Sequence, residues 1–288
     1  MERMDMKYKI GDVSKILGIS PDLLRYYQKK GVVSPTMGEN NNYRYYDAWD
    51  INFLIDCLWF KNYGFGIEQT AKLVSESGFD DVVDDMRTRC AEIEQNIRHE
   101  QLLLERSKQY FAGMERARSL LGQCDLVYSP EIYRYLNRYN LDYRNISEMQ
   151  ETSHRWLQYM PFVSRCFEIS RTDLQNKTEN YAWGFSMGMD FVEKLGVPLE
   201  PPVVHLPSEP SVHTVFTSSG KANFSPKHLK PAMDFVRAHG LTVSGNARGT
   251  LLCSVMENGQ LTGYFEVWIP VEPKDGLVFA RPGVPADE

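Results

Sequence analysis

Two groups of residues in this 288-residue sequence have types and spacings that could do chemistry. The later one is Tyr264-Phe265-Glu266-Val267-Trp268-Ile269, which reads as a strand. Side chains alternate faces along a strand, so Phe265, Val267 and Ile269 form an apolar face suited to covering helices. Tyr264, Glu266 and Trp268 form the other. A carboxylate between two large aromatics suits a lipophilic cation, because the rings add cation–π attraction and apolar area while the carboxylate offsets the ligand's charge. Tyr181, Trp183 and Phe185 alternate with Ala182 and Gly184 and share one face, which makes them further wall candidates. Phe216, Trp156 and Tyr159 extend that set. The alternatives are an exposed strand glutamate and ordinary aromatic core packing.

Other chemistry finds little support. Cys57, Cys90, Cys124, Cys166 and Cys253 are odd in number and scattered, with no C-x-x-C pair. That argues against a disulfide framework and against a sequence-local zinc or iron–sulfur site. His205, His213, His228 and His239 show no ligand spacing, and there is no Gly-x-Ser-x-Gly elbow or phosphate loop. No cofactor or metal is expected.

The second chemistry-bearing group is basic. The formal net charge is −6, yet the span from Lys7 to Arg44 holds seven basic side chains against three acidic ones. A local basic stripe is sufficient to neutralise phosphates, whatever the average charge. The elements carrying it are short. Ile10, Val13, Ile16 and Leu17 recur at helical spacing, and Gly18-Ile19-Ser20 breaks the pattern. Ser20-Pro21-Asp22 restarts it with a favoured N-cap, a proline at the first helical position and an acid at the positive end of the dipole. A second helix over Pro21–Lys30 stops at Gly31, giving a helix-turn-helix or a generic αα-hairpin. Val32-Val33 as a strand, a tip at Gly38-Glu39-Asn40-Asn41-Asn42 and a return strand at Tyr43-Arg44-Tyr45-Tyr46 describe a wing. Asp47 caps a helix carrying Ile51, Leu54, Ile55 and Leu58, and Ile67–Val74 supplies one more.

The segment 80–121 has a single glycine and no proline. One heptad position holds Met86, Ile93, Glu100, Ser107, Met114 and Leu121, and its partner holds Cys90, Ile97, Leu104, Phe111 and Arg118. Eight of these eleven are apolar or cysteine, a seam for another helix, the alternative being a long helix folded onto its own chain. A helix over 86–121 would reach ~54 Å at ~1.5 Å per residue, too long for a small domain, so a homodimer is the expected partner. Beyond it, strand-like runs at 132–136, 164–169, 181–187, 212–217, 250–255 and 264–271, with helices at 146–160 and 225–239, give a β-α-β-β order twice over. A proline-rich connector, Gly196–Pro210, lies between the halves. The fold class is therefore α+β, divided as a winged helix-turn-helix at 1–77, a long dimerisation helix at 78–122 and a sensor-like domain at 123–288. Apolar content of 42% with 24% charged residues suits a packed core. No apolar run approaches the ~18 residues of a membrane span. Met1–Lys9 shows no secretory apolar core, so a soluble, cytoplasmic protein is expected.

The first segment resembles the DNA-binding domain of the MerR family of bacterial transcription regulators. The likeness runs through Ile10-Gly11-Asp12-Val13-Ser14-Lys15, Leu24-Arg25-Tyr26-Tyr27, Tyr43-Arg44-Tyr45-Tyr46, Phe60-Lys61 and Gly64-Phe65, in order. It implies promoter DNA as partner, with Arg25 reading the major groove and Tyr26 and Tyr27 contacting or positioning phosphates beside it. Tyr43 and Arg44 would lie on the wing, and Lys15 and Lys61 would add contacts. Arginine can pair bidentately with guanine or phosphate, while lysine and tyrosine clamp phosphates. The resemblance also implies a dimer that distorts an overlong promoter spacer so that RNA polymerase engages it. Cys124 stands alone after the long helix, unlike the cysteine patterns of metal-sensing and redox-sensing members. The last domain is similar, more loosely, to the GyrI-like effector-binding domain of multidrug-responsive members, which places Glu266 at their drug-binding carboxylate. Rival expectations are a GyrI-like small-molecule hydrolase fused to a DNA-binding domain, and a last domain that binds a protein rather than a ligand.

Overall fold

The computed structural model describes residues 7–38, 43–143, 146–220 and 224–281. The expected wing tip Glu39-Asn40-Asn41-Asn42 lies outside them. The chain forms two compact units, Met1–Glu100 and Gln101–Glu288.

The first unit begins with β1 (Tyr8–Lys9), α1 (Ile10–Leu17) and α2 (Pro21–Lys29). Gly18 takes the left-handed conformation (φ 66°) that ends α1, and the Ser20 hydroxyl accepts a 3.2 Å hydrogen bond from the Leu23 amide to start α2. Strands β2 (Thr36–Met37) and β3 (Arg44–Tyr46) complete a three-stranded sheet in the order β1-β3-β2. Val32 and Val33 are not its strand. Both are buried, and the Val32 amide donates to the Tyr27 carbonyl (3.0 Å), closing the C-terminus of α2. α3 (Ala48–Asn62) starts with a reciprocal cap between Asp47 and Asp50, and Asp50 also accepts from the Ser34 amide at 3.0 Å, tying the wing to the helix. α4 (Ile67–Ser75) follows. Val13, Leu24, Tyr27, Tyr46, Leu54 and Cys57 are fully buried and hold these pieces together.

The long helix α5 runs from Phe79 to Leu120, seven residues earlier than the heptads alone suggest. Of the seam residues, Cys90, Ile97, Leu104, Phe111, Met114 and Leu121 are exposed. Within the second unit a different stripe of α5 packs onto its own chain. The Tyr110 hydroxyl donates to the Leu252 carbonyl (2.7 Å), Gln109 to Asp190 (3.0 Å), and Gly113 and Ala117 are buried.

That unit adds β4 (Cys124–Tyr128), β5 (Ile132–Tyr139), β6 (Asp142–Tyr143), α6 (Ile146–Leu157), β7 (Ser164–Ile169), α7 (Arg171–Asn176), β8 (Ala182–Gly188) and α8 (Met189–Leu195). β9 (Val204–Leu206), β10 (Pro210–Ser219), α9 (Lys230–Ala238), β11 (Ala247–Glu257) and β12 (Gln260–Pro270) follow. The sheet order is β4-β10-β12-β11-β7-β8-β5-β6, with β9 on β5. Read outward from the β11–β7 midline, each half places its second strand, then its third, then its first. The doubled β-α-β-β order is thus a doubled topology as well. The strands β4, β6 and β9 and the helices α7 and α8 were not expected; each is short, and β4, β6 and β9 are sheet additions decided by neighbours rather than by local pattern. At Gly184 a Cβ would fall 1.8 Å from the Tyr135 carbonyl oxygen, beside the bulge at Leu136/Arg138, so only glycine fits. Phe265, Val267 and Ile269 are buried with Leu229, Ala232 and Val236 around α9, as the alternation of β12 predicts.

Candidate functional sites

In the first unit, Lys15, Arg25, Tyr43, Arg44 and Lys61 are exposed. Arg25 projects from α2, where its only ion pair among the described residues is with Asp22 one turn earlier, an exposed i,i+3 contact of the kind that contributes little. Arg25 and Arg44 both act on the Tyr46 phenol. Burial raises its pKa, and the two guanidiniums, one from α2 and one from the wing, pull against that rise. Lys9 lies over the Tyr43 ring at 5.3 Å, and Lys30, 5.8 Å from the Tyr26 ring, pairs with Glu68 of α4 at 2.6 Å. Tyr26 is half-buried, so its edge stays available. Tyr27 is fully buried, its hydroxyl has no hydrogen-bond partner among the described residues, and burial pushes its pKa up to about 12. A hydroxyl in that position cannot clamp a phosphate. Tyr27→Phe will therefore leave operator affinity unchanged and stability within about 1 kcal/mol of wild type or slightly higher, since it removes an unpaired buried polar group. Titration of labelled DNA and a thermal melt check this; a tenfold loss of affinity would return Tyr27 to the interface.

The second unit holds a cavity of about 850 Å³ between one sheet face and the 101–120 part of α5. Glu266 and Trp268 line it together, as the alternation of β12 requires, and Arg106, Tyr110 and Arg116 face them from the helix. Glu266 is only 4% exposed. Its Oε1 lies 2.9 Å from His213 Nε2, whose Nδ1 is 2.9 Å from Asp125 Oδ1. The Arg116 guanidinium is 3.7 Å from the same Glu266 oxygen. Trp268 stacks on the imidazole at 5.0 Å, almost parallel. Burial alone would lower the His213 pKa, but hydrogen bonds to Asp125 and Glu266 outweigh it and raise the pKa above its ordinary value. Both ring nitrogens thus face carboxylate oxygens, an arrangement that favours the charged imidazole, and Arg116 supplies a second, looser counter-charge. Asp125, His213 and Arg116 were missed in the sequence. The first two stand opposite each other in β4 and β10, and His213 stands opposite Trp268 in β12, so cross-strand register joins these three, while Arg116 comes from α5.

The remaining aromatics lie elsewhere. The Tyr264 hydroxyl donates to Glu257 at 2.7 Å and does not line this cavity. Tyr181, Trp183 and Phe185 line a second cavity of about 480 Å³ on the opposite sheet face. Phe216 is buried and stacked on Phe265 at 5.1 Å, Trp156 is fully buried against Tyr135, and Tyr159 packs on that same core. Among the described residues no group of histidine, cysteine and acidic side chains could hold a metal ion, and no helix is long and apolar enough to cross a membrane.

Comparison with known proteins supplies the remaining constraint. The family model of the MerR HTH regulatory proteins matches residues 8–76. The HTH-type transcriptional regulator CueR of Escherichia coli O6:H1 is 34% identical over 93 residues, covering 31% of this chain and 69% of that protein. The HTH-type transcriptional regulator HmrR of Rhizobium leguminosarum bv. viciae is 31% identical over 94 residues, covering 31% of this chain and 72% of that one. Against another CueR, from Escherichia coli O157:H7, the chain spans about half the length. Among solved structures, the cryo-EM structure of the EcmrR–DNA complex in EcmrR-RPo is 20% identical, covers 92% of this chain and 99% of that one, and has a TM-score of 0.35. With relatives 34% and 31% identical that it matches over more than two thirds of their length, the chain belongs to the MerR HTH family of regulatory proteins and is a transcription regulator rather than an enzyme.

Proposed function

We propose that the protein is a homodimeric regulator that binds promoter DNA through α2 and the wing and responds to a small lipophilic cation held at Glu266. The observation that carries the effector reading is a nearly buried carboxylate beside an indole, in a cavity of drug-like size whose far wall is α5. The exposed Ile97, Leu104 and Phe111 on another stripe of the same helix are the surface a second copy would cover. Arg116 reaches Glu266 only at 3.7 Å, so an entering cation competes with it for the carboxylate and loosens one of the ties between α5 and the sheet. Effector occupancy is thereby expressed as a change in the helix that joins the subunits. A dimer that bends or untwists a promoter spacer uses DNA deformability as much as base contacts, and RNA polymerase reads the result. Such a regulator works in the cytoplasm, where its promoter lies.

The test pairs a cationic hydrophobic dye with a neutral dye of similar size. Glu266→Gln keeps the shape and a hydrogen-bond acceptor but removes the charge, so it will weaken the cation at least tenfold and the neutral dye far less. Equal losses for both would remove charge compensation from the account. Footprinting and transcription with and without the dye then read activation directly.

A further inference from the structure

The second cavity has a chemistry opposite to the first. Its walls are Tyr181, Trp183, Phe224 and Phe265, fixed by ring contacts such as Tyr181–Phe224 at 4.9 Å and Trp183–Phe224 at 5.1 Å, both edge-on. Its charged lining residues are Arg138 and Arg165, and no aspartate or glutamate lines it among the described residues. Neither arginine forms an ion pair among those residues. Arg138 lies over the rings of Trp183 (5.3 Å) and Tyr143 (5.8 Å). Stacking occupies the guanidinium face and leaves its in-plane N–H edge for an acceptor.

The polar accounting points the same way. Arg138 Nε, Trp183 Nε1 and the Ser218 hydroxyl are buried with no hydrogen-bond partner among the described residues, and all three residues line this cavity. Trp183 is 9% exposed and Ser218 6%. Buried donors are rarely left unpaired. Three of them around one aromatic-walled space, beside two arginines and no acid among the described residues, suit acceptor atoms carried on a flat apolar body.

We propose that this cavity binds a planar aromatic carboxylate, its ring against the wall that Tyr181, Trp183, Phe224 and Phe265 form and its carboxylate on Arg138 and Arg165. The site is separate from the Glu266 cavity, and the arginines that suit an anion oppose a cation there. The test is calorimetric titration of the full chain with naphthalene-2-carboxylate, its carboxamide and naphthalen-2-ylmethylammonium. The carboxylate will bind at least tenfold more tightly than the carboxamide, and the ammonium will not bind this site. Arg165→Met changes an exposed side chain and so spares the fold; it will weaken the carboxylate about tenfold and leave the carboxamide unchanged, and Arg138→Met will weaken the carboxylate further. Saturation with a cationic dye will leave carboxylate affinity as it was, even if the Glu266 reading fails. No binding of the carboxylate at millimolar concentration, equal affinity for carboxylate and carboxamide, an unaffected Arg165→Met, or displacement by the cationic dye would each overturn the proposal.

Discussion

Glu266→Ala will destabilise the second unit by about 2–3 kcal/mol, the cost of leaving a buried charged donor without one of its two acceptors. The His213 side chain is 4% exposed, so after the substitution its imidazolium keeps Asp125 but loses the acceptor at 2.9 Å on its other nitrogen. At ~2–4 °C per kcal/mol for a unit of this size, the melting temperature should fall by roughly 5–10 °C. The pH dependence identifies the cause. A histidine whose folded pKa lies above its unfolded value adds stability that is fully present below about 6.5, the ordinary value, and is lost as pH rises through the raised one. Glu266→Ala removes one of the two hydrogen bonds that raise it, so the remaining contribution should disappear at a lower pH than in the wild type. Melts between pH 5 and 9 measure both effects. A variant within 1 kcal/mol of wild type at neutral pH, with the same pH profile, would mean that His213 is not charged in the fold.

How much of this was legible in the sequence depends on the range of the signal. Ser20-Pro21-Asp22 and Asp47 act within one helical turn, and the structure places caps at both. The alternation of β12 also acts locally, and it separated Glu266 and Trp268 from Phe265, Val267 and Ile269 correctly. Alternation cannot say how two distant strands share a face. Trp183 pairs with Phe167, Phe167 with Gly249, and Gly249 with Val267, so the β8 aromatics lie on the Val267 face and away from Glu266. One residue of slip at any of the three pairings would have reversed that result. His213 was set aside for lack of ligand spacing because its partners are 88 and 53 residues away. Val32-Val33 misled for the opposite reason: β-branched residues suit a strand, but a core position beneath α2 claims them first.

Arg25→Ala will produce the largest loss of DNA affinity of any single substitution in the first unit. The side chain is exposed on α2, and its contact with Asp22 is the type of surface pair that a base edge or phosphate readily replaces. A bidentate arginine–guanine contact discriminates by about 1–3 kcal/mol, and a dimer on a two-fold operator makes it twice. The summed loss of about 2–6 kcal/mol corresponds to roughly 30-fold to 10⁴-fold, most of it specific to the operator. Lys61→Ala provides the contrast. Its exposed ammonium has the character of a phosphate contact, so its loss should weaken operator and scrambled DNA alike and reduce the salt slope by about one per subunit. Asp22→Ala frees Arg25 without removing it and should not reproduce the Arg25→Ala defect. Binding titrations on both DNAs at several salt concentrations separate these outcomes. If Arg25→Ala retains wild-type affinity and selectivity, the reading helix is not α2, and Arg25 serves only its surface pair with Asp22.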